Sequence, residues 1–203
     1  MTNVTDDTTK TVRNILREAR QLRTRYQNYR NQHADVMLYQ AASMIITNSL
    51  RHARHAELQG DLTAGEIFDE TLLVDGHYRR SIGRGTQRVL AAFQLVDARH
   101  VVGHEYDTVT LVGYEDDVDL LHLFGASIVQ QATSALSWYW NHHHMQGQAD
   151  LLLAYRYKRD FIDGLMRELL GTVTRSRTDL INEASVIDLL EARRRYVSQR
   201  ITT

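Results

Sequence analysis

Cysteine and proline are both missing from this 203-residue chain. Without cysteine there is no disulfide framework and no thiolate metal site, a composition that suits the cytoplasm. Proline at its average usage of about 5% would occur roughly ten times. Its absence removes the commonest helix breaker, so long uninterrupted helices are expected. A net charge of −1 leaves no global polycation to hold nucleic acid. The opening MTNVTDDTTK lacks the basic and apolar regions of a secretory signal. The length suits one medium-sized domain with an ordinary hydrophobic core.

Charge is also missing locally. Residues 120–149 contain no Asp, Glu, Lys or Arg, although charged residues make up 24% of the chain. Leu121, Phe124, Ile128, Ala132, Ala135 and Tyr139 repeat at helical spacing, and a helix with no charged face is expected to be enclosed by protein. The run exceeds the roughly 20 residues that span a bilayer. However, His122, Gln130, Gln131, Thr133, Ser134 and Asn141 would carry polar groups into hydrocarbon. A protein-buried helix is therefore expected, with no membrane partner. Glu115, Asp116, Asp117 and Asp119 precede it, and their carboxylates suit the positive N-terminal end of the helix. A metal site, or acid/base work by Asp116 and Asp117, is the alternative use of the same cluster.

Residues 1–9 are polar and expected to be disordered, and residues 10–59 to form a helical hairpin. Its first helix carries Val12, Ile15, Ala19 and Leu22 inward, and its second carries Val36, Met37, Met44, Ile45 and Leu50. Residues 60–175 read as an α+β core. Residues 67–74 fit a strand or a helix end, and a helix over 77–95 carries Arg79, Arg80, Arg84 and Arg88, with Gly83 and Gly85 marking close packing or a break. Residues 98–102 and 108–112 read as a β-hairpin with a five-residue loop. An amphipathic helix then presents Leu151, Phe161, Leu165 and Leu169, and Ser176 or Thr178 caps a terminal helix over 176–203. The fold class is α+β and mainly helical, one compact unit with a small antiparallel hairpin and a long buried central helix.

Three constellations are candidates for function. His100, His104 and Asp107 flank one loop, where two imidazoles and a carboxylate can hold a divalent metal with an open position for water. The spacing matches no metal signature, and no phosphate loop or nucleophile motif is present. Arg13, Arg17 and Arg20 with Lys10 form a helical stripe, and Arg193, Arg194 and Arg195 form another; both can follow phosphates, with Tyr26 and Tyr29 available to stack on bases. Finally, Trp138, Tyr139, Trp140 and His143 offer an oligomer interface. The neighbouring His142 and His144 cannot all aim with His143 at one ion, because consecutive helical residues point about 100° apart.

Residues 75–174 resemble an actinobacterial and phage family known only as a domain of unknown function. The matching stretches are Ala98 to Val102, then Val112, Gly113 and Tyr114 with Asp116 and Asp117, then Val129 to Ala135 around the Gln131-Ala132-Thr133 core, and Tyr157 to Ile162 around Arg159 and Phe161. The resemblance implies this order of elements and supplies no chemistry. The resulting expectation is a noncatalytic, homo-oligomeric binding or assembly protein without a cofactor, phage-associated or actinobacterial, in the cytoplasm or within a phage particle. The alternatives are a metal-dependent hydrolase or nuclease, and a nucleic-acid accessory protein.

Overall fold

The computed structural model describes residues 3–26, 31–61, 65–76, 78–144 and 151–201. Their helices are α1 (Asn3–Tyr26), α2 (Gln32–Leu58), α3 (Arg79–Ala91), α4 (Glu115–His144), α5 (Leu151–Leu180) and α6 (Ala184–Ile201). The strands are β1 (Ile67–Val74), β2 (Asp97–Val101) and β3 (Asp107–Tyr114). The fold is α+β and mainly helical, as the composition implies.

The hairpin expected at residues 98–112 is two-thirds of a sheet. β3 lies between β1 and β2 and is antiparallel to both, with Thr71 and Arg99 both opposite Thr110. Along β3 the side chains alternate, and Asp107, Val109 and Leu111 point into the core. α3 and α4 cover this inner face. On the outer face the hydroxyls of Thr71 and Thr110 meet at 3.2 Å.

α4 is the element around which the rest packs, contacting α1, α2, α3, α5, β1 and β3. Leu120, Leu121, Phe124, Ile128 and Ala132 are fully buried, which explains how it does without a charged face. Among the described residues no helix is long and apolar enough to cross a membrane. Gly125 lets the neighbours close on it, since a Cβ there would stand 2.5 Å from Leu72 Cδ1. Phe124 meets Phe93 edge to face at 5.2 Å.

Three boundaries differ from the sequence expectation: α3 ends at Ala91, short of the expected residue 95, where Gln94 turns the chain with φ 58°, and two lie nearer the termini. α1 takes in residues 3–9, because neither glycine nor proline interrupts residues 3–26, and Thr11 Oγ1 donates to the Asp7 carbonyl. At the other end, Ser176 and Thr178 cap nothing. α5 runs on to Leu180, with Thr178 Oγ1 donating back to the Thr174 carbonyl and Ser176 Oγ meeting Ser43 Oγ of α2 at 2.9 Å.

Candidate functional site

Strand pairing brings His100 and Asp107 together. His100 Nε2 lies 2.8 Å from Asp107 Oδ2, the carboxylate is fully buried and the imidazole is 10% exposed. Helix α3 closes the pair. Gly83 has no side chain where a Cβ would fall 2.7 Å from His100 Nε2, and Arg79 places Nε 3.4 Å from Asp107 Oδ1, an ion pair without hydrogen-bond alignment. The Gly103 N–H also donates to Oδ1 at 3.3 Å, and Arg79 donates to the His104 carbonyl at 2.7 Å. The His104 side chain itself is exposed on the loop. Two of the three expected ligands therefore meet, the third joins only through its backbone, and among the described residues no group of three His, Cys, Asp or Glu could hold a metal. The arrangement neutralises Asp107 and ties the β2–β3 loop to α3.

The acidic residues that open α4 divide into two roles. Asp116 pairs with His52 Nδ1 of α2 at 2.7 Å, and that hydrogen bond holds its carboxyl below the ordinary value. Asp117 points inward, 3% exposed, where Ser49 Oγ donates to it at 3.1 Å. Burial pushes its carboxyl up to about 6, against the opposing pull of Arg193. Arg193 itself is buried, its guanidinium 3.8 Å from the centre of the Tyr114 ring, and Tyr196 stacks on the same tyrosine at 6.5 Å. These contacts dock α6 onto the end of β3.

The two arginine sets expected to bind nucleic acid are split by the fold. Arg13 and Arg17 are exposed, but Arg20 donates to Gln130 of α4. Their neighbour Arg23 is 1% exposed, donating to Gln131 Oε1 at 2.8 Å and Asp35 Oδ1 at 2.6 Å. Arg193 is occupied under α6, while Arg194 and Arg195 face solvent, Arg195 lying 3.9 Å from Glu191. Side chains of Trp138, Tyr139, Trp140, His143 and Tyr26, and all of Tyr29, lie outside the described residues.

Five arginines gather elsewhere, in a groove of about 520 Å³ between α3 and α5. Lys158 sits 5.9 Å from the Tyr78 ring at the start of α3, and Met166 fills the space left by Gly85 further along, so the two helices run side by side in the same direction. Arg80, Arg84 and Arg88 line one wall and Arg159 and Arg167 the other. The single lining carboxylate is Asp163, 3.8 Å from Arg159. Among the described residues the side chains of Arg80, Arg84, Arg88 and Arg167 have no hydrogen-bond or ion-pair partner. Neither family models, nor curated proteins, nor solved structures match the chain. Function is therefore read from this geometry. The α3 arginines were visible in the sequence, but their α5 counterparts carried no signal there, because their pairing depends on how the helices pack.

Proposed function

We propose that the protein is a noncatalytic binding protein that takes an anionic partner in the arginine groove between α3 and α5. The observation that carries this reading is the α3 row of Arg80, Arg84 and Arg88 with no partner among the described residues, facing Arg159 and Arg167. Two charges elsewhere that point inward are compensated: Asp107 has Arg79 and His100, and Arg23 has Asp35. Guanidinium forks match phosphate and carboxylate oxygens bidentately, and both walls fall within residues 75–174, the segment that resembles the phage and actinobacterial family. Thermal unfolding with tripolyphosphate, against chloride at equal ionic strength, tests the proposal. A rise in Tm that Arg84→Ala with Arg167→Ala abolishes is expected. An equal rise in the double variant refutes it.

A second reading, self-association of the same chain, draws on the outer face of the sheet. Leu73 and Val101 both stand opposite Thr108 and are 64% and 55% exposed, with Val102 beside them at 51%. An apolar row on two edge strands suits a second copy. Light scattering on the protein and on Leu73→Lys checks it: a mass that is monomeric in both removes this reading.

A further inference from the structure

We infer that the α3/α5 groove holds the phosphodiester backbone of one nucleic-acid strand, contacting phosphates and not bases; this deepens the anion-binding reading and rests on it. The spacing of the cations favours a repeated anion. Arg80, Arg84 and Arg88 follow one another every four residues, about 6 Å of helix rise per step, so α3 presents positive charge in a row about 12 Å long. Arg159 and Arg167, eight residues apart on α5, extend over the same length. The parallel course of the helices sets the two rows side by side. A compact anion needs one cluster of donors; a chain of phosphates matches two aligned rows.

The identity of the cations is less informative than their position. Twenty-two of the 24 basic residues are Arg, with Lys only at Lys10 and Lys158, so arginine is the choice throughout the chain. What is particular to the groove is that four guanidiniums without a partner among the described residues, Arg80, Arg84, Arg88 and Arg167, lie with Arg159 in two rows along one cleft.

The remaining lining decides between partners. Apart from the charged residues it consists of Ser81, Gly85, Met166 and Leu170. Met166 is 7% exposed because it is spent filling the gap at Gly85. A protein partner would bring side chains that require an apolar centre, and interfaces of that kind are rich in aromatic residues; none of the ten lining residues is aromatic. The same lack removes stacking platforms for bases. There is also no Asn or Gln to read base edges. A groove whose cations are all guanidiniums grips phosphates irrespective of sequence, although the same forks also match guanine edges. With the whole chain at a net charge of −1, attraction for an anion depends on local clusters such as this one and not on the charge of the molecule as a whole. Asp163 is the one opposing group, and it weakens the site.

Fluorescence anisotropy with labelled oligo-dT, oligo-dA and a mixed duplex tests the inference, with tripolyphosphate, polyglutamate and phosphatidylserine vesicles as competitors. Comparable affinity for oligo-dT and oligo-dA is expected. Five engaged phosphates give a log–log salt slope of about −3.5 on a single strand, roughly 100-fold weaker binding from 50 to 200 mM salt. Arg84→Ala and Arg167→Ala should each reduce the slope by about 0.7. Asp163→Asn should tighten binding, a gain that misfolding cannot produce. The duplex arm tells whether the strand is taken free or from a double helix.

Unchanged oligonucleotide binding in Arg84→Ala, or loss only on replacing Arg13 and Arg17, overturns the inference. So does stronger competition by polyglutamate or vesicles than by unlabelled oligonucleotide. Tripolyphosphate binding that depends on Arg84, without oligonucleotide binding, leaves the anion-binding function standing and refutes this extension alone. If neither anion binds, both fall.

Discussion

Replacing Asp117 by Asn should change the pH dependence of stability by an amount the structure specifies. The carboxyl is buried beneath Ser49 and Arg193, and its pKa is raised from 3.8 to about 6, chiefly by desolvation. A tenfold change in an acid dissociation constant corresponds to about 1.4 kcal/mol, so the difference between folded and unfolded chains is about 3 kcal/mol, with no discount for solvent at so enclosed a position. Because the folded value lies above the unfolded one, the stabilisation is complete below pH 3.8 and is lost as pH rises through about 6. Above that pH the wild type buries a charge, and Asp117→Asn does not. Asp116, lowered by its bond to His52, has the opposite sign: its stabilisation is present above 3.8 and is lost as pH falls through its folded value. It is common to both proteins and largely cancels in the difference.

Asn can still accept from Ser49, although its own N–H groups need partners, at a cost of about 1–3 kcal/mol if they find none. That cost is nearly constant with pH, so the diagnostic quantity is how the difference between the proteins changes. Urea unfolding of both at intervals from pH 4 to pH 8 measures it. The wild type is expected to lose about 2.5 kcal/mol relative to Asp117→Asn across this range, most of the full difference. Parallel profiles would show that Asp117 is not held in its neutral form. A wild type that gains relative to the variant would show that Arg193 outweighs desolvation.

Three further outcomes follow from packing. Gly171, within α5, has nothing within 4 Å of its missing Cβ, so Gly171→Ala should raise stability by about 1 kcal/mol in urea titration. Gly83→Val should lower stability by about 1–3 kcal/mol, because the new side chain meets His100; an NMR shift of the His100 ring should accompany it, and an unmoved ring would contradict the proposed closure of the pair. Arg23→Ala leaves Asp35 and Gln131 without their donor, at a cost of about 3 kcal/mol, read as a lower midpoint of chemical unfolding.

The helices were legible where their neighbours impose a period. The buried positions of α4, from Leu121 through Phe124 and Ile128 to Ala132, repeat at three and four, and Asn31 caps α2 by accepting from the Ala34 N–H at 3.1 Å, directly before Gln32. β1 was ambiguous because it is an edge strand, buried only at Leu72 and Val74, with partner β3 more than thirty residues away. The ends of α5 and α6 misled because Ser and Thr suit caps in isolation, whereas here Ser176 is used between helices. Within the sites, His100 and Asp107 were legible as flanks of one hairpin. Arg79 and Gly83, which close the pair, come from α3 and had no local mark of that role.

The groove shows why such a site escapes a reading by motif. Its determinants are a missing side chain, Gly85, and a flexible one, Met166, which together set how closely α3 approaches α5. That approach brings like charges together: guanidiniums that would be ordinary solvated residues on separate helices become opposed rows with one carboxylate among them. Their mutual repulsion opposes folding in the free protein and would be relieved by the proposed anion, so that binding and stability would be coupled through the same five side chains. Neutralising Arg84 or Arg88 should therefore stabilise the free protein at low salt while weakening its response to anions. A purely structural role for the arginines predicts the reverse, a loss of stability on neutralisation, and this opposition in sign separates a site held ready for a ligand from a decorated helix surface.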